Sequence, residues 1–343
     1  MVPKELNYKM PAEWEKHEYT IMEWPVQDAM VWPDNYKEVC EGYARVANAI
    51  SAFEPVLMLV NPASYDEARS LCTYRVELLE MDFNDSWSRD NGPTYLLNDK
   101  GERAGVNWKF NAWGEKYGPW DLDDTIAPRL LKQMGDPCFD ASFILEGGSI
   151  HTDGEGTLLT TEECLLNPNR NPDLSKEDIE ELLRQYLNIE KVIWLKRGLD
   201  GDETDGHIDN IACFARPGAI IMQTCDDPED PNYEITWENL ETLNNATDAK
   251  GRKLEIITME QPPRMEYRDS RLTLSYLNFY FVNDGIVLPV FGGECEEADL
   301  KAKEVLMATY PDREVVMVPS LSIVKEGGNI HCITQQMPAK KNQ

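Results

Sequence analysis

The chain has 343 residues, 42% of them hydrophobic, enough to bury a sizeable core. Its formal net charge of −29 argues against a nucleic-acid partner, since phosphate contacts need Lys and Arg, and favours a cationic ligand. No apolar run is long enough to span a membrane, and Met1-Val2-Pro3-Lys4-Glu5-Leu6-Asn7 lacks the basic and apolar regions of a signal peptide, so neither insertion nor export is expected.

The folded part is expected to open at Met10-Pro11-Ala12-Glu13-Trp14, followed by a strand at Thr20 to Pro25. Apolar spacing predicts a helix from Tyr36 to Phe53, with Val39, Tyr43, Val46, Ala47 and Ile50 on one face. A buried strand at Pro55 to Val60, a helix at Pro62 to Cys72 and a strand at Val76 to Met81 come next. From there a strand, a Gly turn, a return strand, a helix and a buried strand recur. The predicted first strands are Arg89 to Leu97, Glu146 to His151, Gly206 to Phe214, Leu274 to Val282 and Gly328 to Thr334. Their turns fall at Gly101, Gly154, Gly218 and Gly285; Asn283-Asp284-Gly285 is the strongest hairpin signal. The helices are expected near Leu122 to Met134, from Ser175 with Asp178 closing a capping box, near Tyr233 to Thr247, and from Glu296 to Tyr310.

Glu146-Gly147-Gly148-Ser149-Ile150-His151 returns as Glu326-Gly327-Gly328-Asn329-Ile330-His331, which supports an internal repeat. The second copy continues into Cys332, the first into Thr152. The fifth unit has no sequence left for its return strand, and the N-terminal strand is the simplest completion. The expected fold is therefore α/β: a five-fold pseudosymmetric propeller of strand-strand-helix-strand units, closed by the N-terminal strand, in one domain over residues 1–343 without a linker. Eight scattered cysteines with no C-x-x-C pair read as reduced cytoplasmic thiols, not as disulfides or a zinc ribbon. A homo-oligomer is left open.

Asp90, Glu146, His207, Asp209 and Cys332 fall on the predicted first strands, which would line the axis of such a ring. The stretches Met10 to Trp14, Trp87-Ser88-Arg89-Asp90-Asn91-Gly92-Pro93, Glu146-Gly147-Gly148, Thr204-Asp205-Gly206-His207-Ile208-Asp209-Asn210 and Gly327 to Cys332 together resemble the agmatine deiminases of the guanidine-modifying (pentein) superfamily, over essentially the whole chain. That branch also carries the name bacterial-type peptidylarginine deiminase. The resemblance implies the same propeller and cofactor-free hydrolysis of agmatine to N-carbamoylputrescine and ammonia, towards putrescine; with no cysteine or histidine pairing at ligand spacing beyond His331-Cys332, no metal site is expected.

On this resemblance Cys332 is the nucleophile, attacking as a thiolate. His207 is the general acid and base. Asp90 and Asp209 clamp the guanidinium through charge-assisted bonds. Glu146 holds His207 or binds a guanidinium nitrogen, and Trp87 walls the pocket. Each has a plainer reading: a buried structural thiol, a satisfied histidine, turn-forming acids, a core aromatic. His151 and His331 read as structural, and Glu326 has no assigned role. The acidic run Asp200-Gly201-Asp202-Glu203-Thr204-Asp205 contains no basic residue, so Glu203 and Asp205 are expected at the amine end of agmatine, repelling free arginine. The alternatives are a peptidyl- or free-arginine deiminase, an amidinotransferase, or a non-catalytic propeller that binds without reacting; the complete set of five polar residues argues against the last.

Overall fold

The computed structural model describes residues 1–27, 29 and 34–341. One sheet plan recurs in it. β1 (His17–Glu23), β2 (Val56–Val60) and β3 (Val76–Glu80) pair in parallel. β4 (Thr94–Leu97) pairs antiparallel with β5 (Arg103–Lys109), which pairs parallel with β6 (Cys138–Ile144). The same antiparallel-then-parallel order holds for β7 (His151–Thr152), β8 (Thr157–Thr161) and β9 (Lys191–Leu195). It holds again for β10 (Ala212–Arg216), β11 (Ala219–Thr224) and β12 (Glu255–Glu260). After a short hairpin of β13 (Glu266–Tyr267) and β14 (Ser270–Arg271), it returns in β15 (Tyr280–Val282), β16 (Gly285–Val290) and β17 (Glu314–Pro319). Finally β18 (Gln335–Pro338) pairs antiparallel with β1, Ile21 opposite Gln335 and Thr20 opposite Gln336, so the two chain ends share a sheet.

Parallel neighbours need a crossover connection, and helices supply it. The helices Tyr36–Ile50, Ile126–Met134, Lys176–Leu187, Asn232–Asn245 and Glu296–Thr309 each lie between two parallel strands of a sheet. The first buries Val39, Tyr43, Val46, Ala47 and Ile50, as its spacing predicts. The third starts at the expected Ser175/Asp178 capping box. In the β15–β16 turn the left-handed conformation falls on Asp284 (φ 62°) rather than on Gly285.

The first strands are shorter than expected, and this moves the polar residues. Asp90 lies in a helical turn, Ser88–Asn91, before β4. Gly147–Ser149 and Ile208–Asn210 are further single turns before β7 and β10, and residues 328–334 form no strand. Asp, Asn and Ser side chains offer local hydrogen bonds that compete with a β ladder, as where Ser149 Oγ donates to Glu146 O at 2.6 Å. The candidate residues thus stand on tight turns leading into the strands.

A buried carboxylate ties β1 to the β15–β16 turn. Glu54 accepts from His17 Nδ1 at 2.9 Å, Thr20 Oγ1 at 2.5 Å and Asn283 N at 2.7 Å, while Asn283 exchanges two 2.9 Å bonds with the His17 backbone. Removing it leaves His17 Nδ1 and Asn283 N without this acceptor, while Thr20 Oγ1 keeps the Tyr280 hydroxyl at 3.1 Å. Glu54→Ala should destabilise the protein by about 3–5 kcal/mol, the usual effect of breaking a buried polar pair. Urea unfolding measures this; a loss below about 1 kcal/mol would mean that water replaces the carboxylate.

Candidate active site

The nucleophile candidate is set by the turn that carries Asp90. Arg89 N donates to Cys332 O at 3.2 Å, Arg89 Nε to His331 O at 3.2 Å, and Ser88 Oγ to Ile333 O at 2.8 Å. Three consecutive carbonyls are thereby held by two adjacent residues from more than 240 positions earlier in the chain. Gly328 permits the approach, since a Cβ there would stand 2.2 Å from the Trp87 ring. Asn278 completes the hold: its Oδ1 accepts from His331 N (2.9 Å) and Cys332 N (3.3 Å), and its Nδ2 points at Cys332 Sγ (3.2 Å).

Around Cys332 the expected residues converge. Asp209 Oδ2 lies 3.5 Å from Sγ. Asp90 Oδ1 accepts from Gly148 N and its Oδ2 from Trp113 Nε1, both at 2.9 Å. His207 is fully buried, its Nδ1 3.9 Å from Asp90 Oδ1. Gly148 sits between them: an added Cβ would come within 2.6 Å of His207 Nδ1, 2.9 Å of Asp90 Oδ1 and 3.0 Å of Asp209 Oδ2. Asp209 Oδ1, Glu146 Oε2 and both His207 ring nitrogens are buried without a hydrogen-bond partner among the described residues. Buried polar atoms are rarely left so, and here they mark a place for a polar ligand.

The charges are arranged as layers. Burial weighs against charge on Asp209, but His331 Nδ1, donating at 2.9 Å, holds its carboxyl below the usual range. His331 passes on to Glu13 through Nε2, at 2.9 and 3.1 Å; Glu13 also meets Arg89 Nη1 at 3.3 Å and His151 Nε2 at 3.6 Å. His331, expected to be structural, therefore carries charge to the site's clamp. Burial opposes a charged His207, yet Asp90, Cys164 and Asp209 raise it well above the ordinary imidazole range. Burial pushes the Cys332 thiol well up, and Asp209 and Asp90 add to it. Burial likewise raises Asp90, with Asp209 and Glu146 adding to it against the pull of His207 and Trp113.

Glu146 is paired with Arg170, Nε to Oε1 at 2.7 Å, which the sequence reading did not foresee. Glu146 also stands beside His207 and Cys164; potential ligand atoms of these three lie within 4.8 Å of one another. The Arg170 guanidinium already balances that carboxylate, which disfavours a metal ion there.

A cleft of about 370 Å³ leads down to Cys332 and Asp90 past Trp87, Trp113 and Tyr117, with Glu203 and Glu326 farther along its lining. Trp87 lines the cleft and is also part of a buried apolar cluster with Trp113 and Cys332. The expectation for Asp205 needs correction. It is held by Lys116 Nζ (2.7 Å), Arg170 Nη1 (2.7 Å) and Asn169 Nδ2 (2.9 Å), and does not line the cleft. The acidic run contains no basic residue, but the fold brings three to it, Arg271 Nη1 also lying 3.8 Å from Asp200 Oδ2. Of its four acids only Glu203 lines the cleft, bonded by the Tyr117 hydroxyl.

Trp113, Tyr117, Asn278, Arg170 and Glu13 are the functional neighbours without an assigned role in the sequence reading. Glu13 had a signal, lying within Met10 to Trp14. Trp113 had none, because its position depends on an unusual turn: Ala112, Trp113, Gly114 and Glu115 all take positive φ, from 50° to 91°. Non-glycine residues resist that region by roughly 1–2 kcal/mol each. Asn111 holds it in place, accepting from Gly114 N at 3.0 Å and Glu115 N at 2.7 Å.

Comparison with known proteins agrees with this geometry. The family model for Porphyromonas-type peptidyl-arginine deiminase matches residues 9–338. An agmatine deiminase of Pseudomonas syringae is 44% identical over 365 aligned positions, covering 98% of this chain and 97% of that one. The solved agmatine deiminase of Enterococcus faecalis superposes with a TM-score of 0.95 at 39% identity, covering 99% and 98% of the two chains. A cysteine-to-serine variant of agmatine deiminase from C. jejuni, with substrate bound, gives 0.88 at 29%, covering 97% and 96%. With a match of that extent, and a thiol, a histidine and two aspartates gathered at the foot of one cleft, this chain belongs to the Porphyromonas-type peptidyl-arginine deiminase family.

Proposed function

We propose that the protein is an agmatine deiminase, hydrolysing agmatine to N-carbamoylputrescine and ammonia and so feeding putrescine formation. The observation that carries this reading is the gathering of Asp90, Asp209 and the unpartnered His207 ring around Gly148, next to a thiol and below a cleft with acids farther out. A planar cation with N–H donors suits the inner end, and a second cation the outer end. In the same reading the five sheets are the blades of a five-fold propeller, one domain whose axis passes through the site.

The proposed chemistry follows from the charges. Asp90 and Asp209 receive the guanidinium; its positive charge offsets the two carboxylates that hold the Cys332 thiol protonated, so the proton is released to solvent as substrate settles. The thiolate bonds to the guanidinium carbon. His207, as imidazolium, protonates one amino group, the C–N bond breaks and ammonia leaves. Neutral His207 then takes a proton from the water that attacks the thiouronium carbon. The C–S bond breaks, the sulfur leaves as thiolate, and the protonated ureido group sheds its proton. Glu146 keeps His207 in place, with Arg170 behind it. Trp87 and Trp113 exclude water from the reacting carbon.

Four outcomes are expected. Cys332→Ala should abolish ureido product while retaining the wild-type circular dichroism; product formation at the wild-type rate would end the nucleophile assignment. Thiolate absorbance, taken as the difference between wild type and Cys332→Ser, should be absent at neutral pH without ligand and emerge only under alkaline conditions, because a raised thiol pKa keeps the proton on until pH passes it; a full thiolate signal at neutral pH would contradict the charge arrangement. Asp90→Asn and Asp209→Asn should each lower kcat/KM for agmatine by the equivalent of roughly 2–5 kcal/mol. Agmatine should be preferred to free arginine and to a blocked arginyl peptide; equal use of either would reassign the substrate and leave the deiminase chemistry standing.

A further inference from the structure

The glutamate that opens the second copy of the repeated motif has no part in the chemistry above. Its counterpart Glu146 is buried and paired with Arg170. Glu326 stands instead at the end of the single helical turn Leu321–Val324, half-buried, lining the same cleft as Glu203. Among the described residues its carboxylate has no hydrogen bond or ion pair. We propose that Glu326 acts with Glu203 as a paired-carboxylate seat for the ammonium end of a linear guanidino-amine substrate. The proposal rests on reading the site as a deiminase of such substrates.

The groups facing Glu326 fit that role. Glu203 and Asp85 are its acidic neighbours; Arg268 and Lys325 are the basic ones. Both cations have other partners: Arg268 pairs with Asp34, and Lys325 Nζ lies 3.6 Å from Glu38 Oε2, while each sits 5.1 Å from the centre of the Tyr267 ring. Two carboxylates at the outer part of a partly desolvated cleft repel one another, and an ammonium between them relieves that repulsion. An α-carboxylate, as in free arginine, would meet both. Burial, opposed by Arg268 and Lys325 and aided by Glu203 and Asp85, pushes the Glu326 carboxyl up to about 7. Below that pH Glu326 is neutral and only one carboxylate is available; above it there are two. Agmatine should therefore bind more tightly as pH rises through neutrality, with Glu326 losing its proton.

The test compares agmatine with 1-butylguanidine, which has the same guanidinium and chain but no amine, over about pH 6 to 8. In wild type, KM for agmatine should fall more steeply with rising pH than that for butylguanidine, which shares only the release of the Cys332 proton. Glu326→Gln should raise KM for agmatine roughly five-fold at the upper pH, reduce its pH dependence to that of butylguanidine and shrink agmatine's advantage over butylguanidine. Glu326→Asp should restore part of the dependence. An unchanged KM for agmatine in Glu326→Gln, or an equal loss for both substrates, would overturn the proposal while leaving agmatine turnover intact. Failure of the wild type to use agmatine would instead remove the functional reading, and this proposal with it.

Discussion

The site depends on keeping carboxylates ionised where water is scarce. Glu13, Glu146 and Asp209 are all nearly or fully inaccessible, as is Asp90. An isolated carboxylate in such a place would take up a proton. The protein prevents this by interleaving cations. Arg89 and His331 face Glu13, His331 also faces Asp209, Arg170 faces Glu146, and His207 stands near Asp90. Asp90 is the least compensated of the four, with its carboxyl raised by burial. It is also the acid that meets the cleft, so the missing charge is the one that a cationic substrate would supply.

The same interactions are structural. Arg89 uses its backbone N–H and its guanidinium on the carbonyls of Cys332 and His331, and its Nη1 on Gln335 Oε1 at 3.0 Å, at the start of β18. β18 in turn pairs with β1. The ladder that joins the chain's two ends and the placement of the thiol are therefore mechanically linked. A residue such as Gly328 then has two duties, admitting the Trp87 ring and leaving the cleft open above Cys332.

Much of this was legible in the sequence, and the residues that were not share a cause. The Gly-Gly pairs, the single His207 among four histidines and the acids at 90 and 209 drew attention because their types suit guanidine chemistry. They were misplaced only locally, on strands instead of turns, because alternation cannot distinguish a strand from a one-turn helix stabilised by its own side chains. The partners Arg170, Asn278 and Trp113 are invisible at that level. Each is far in sequence from what it touches: Arg170 reaches Glu146 and Asp205, and Asn278 reaches Cys332. Asp205 illustrates the converse. Its neighbours in sequence suggested a free acid, but Lys116 and Arg170 arrive from elsewhere and neutralise it.

Whether the sulfur of Cys332 bonds to the guanidinium carbon can be read directly. Enzyme mixed with agmatine should be quenched in acid within a turnover, digested and weighed by mass spectrometry. The account predicts that the peptide containing Cys332 gains the mass of agmatine less ammonia, that the gain is absent without substrate, and that no other cysteine carries it. Full turnover with Cys332 never modified, or the same adduct on Cys164 instead, would contradict it.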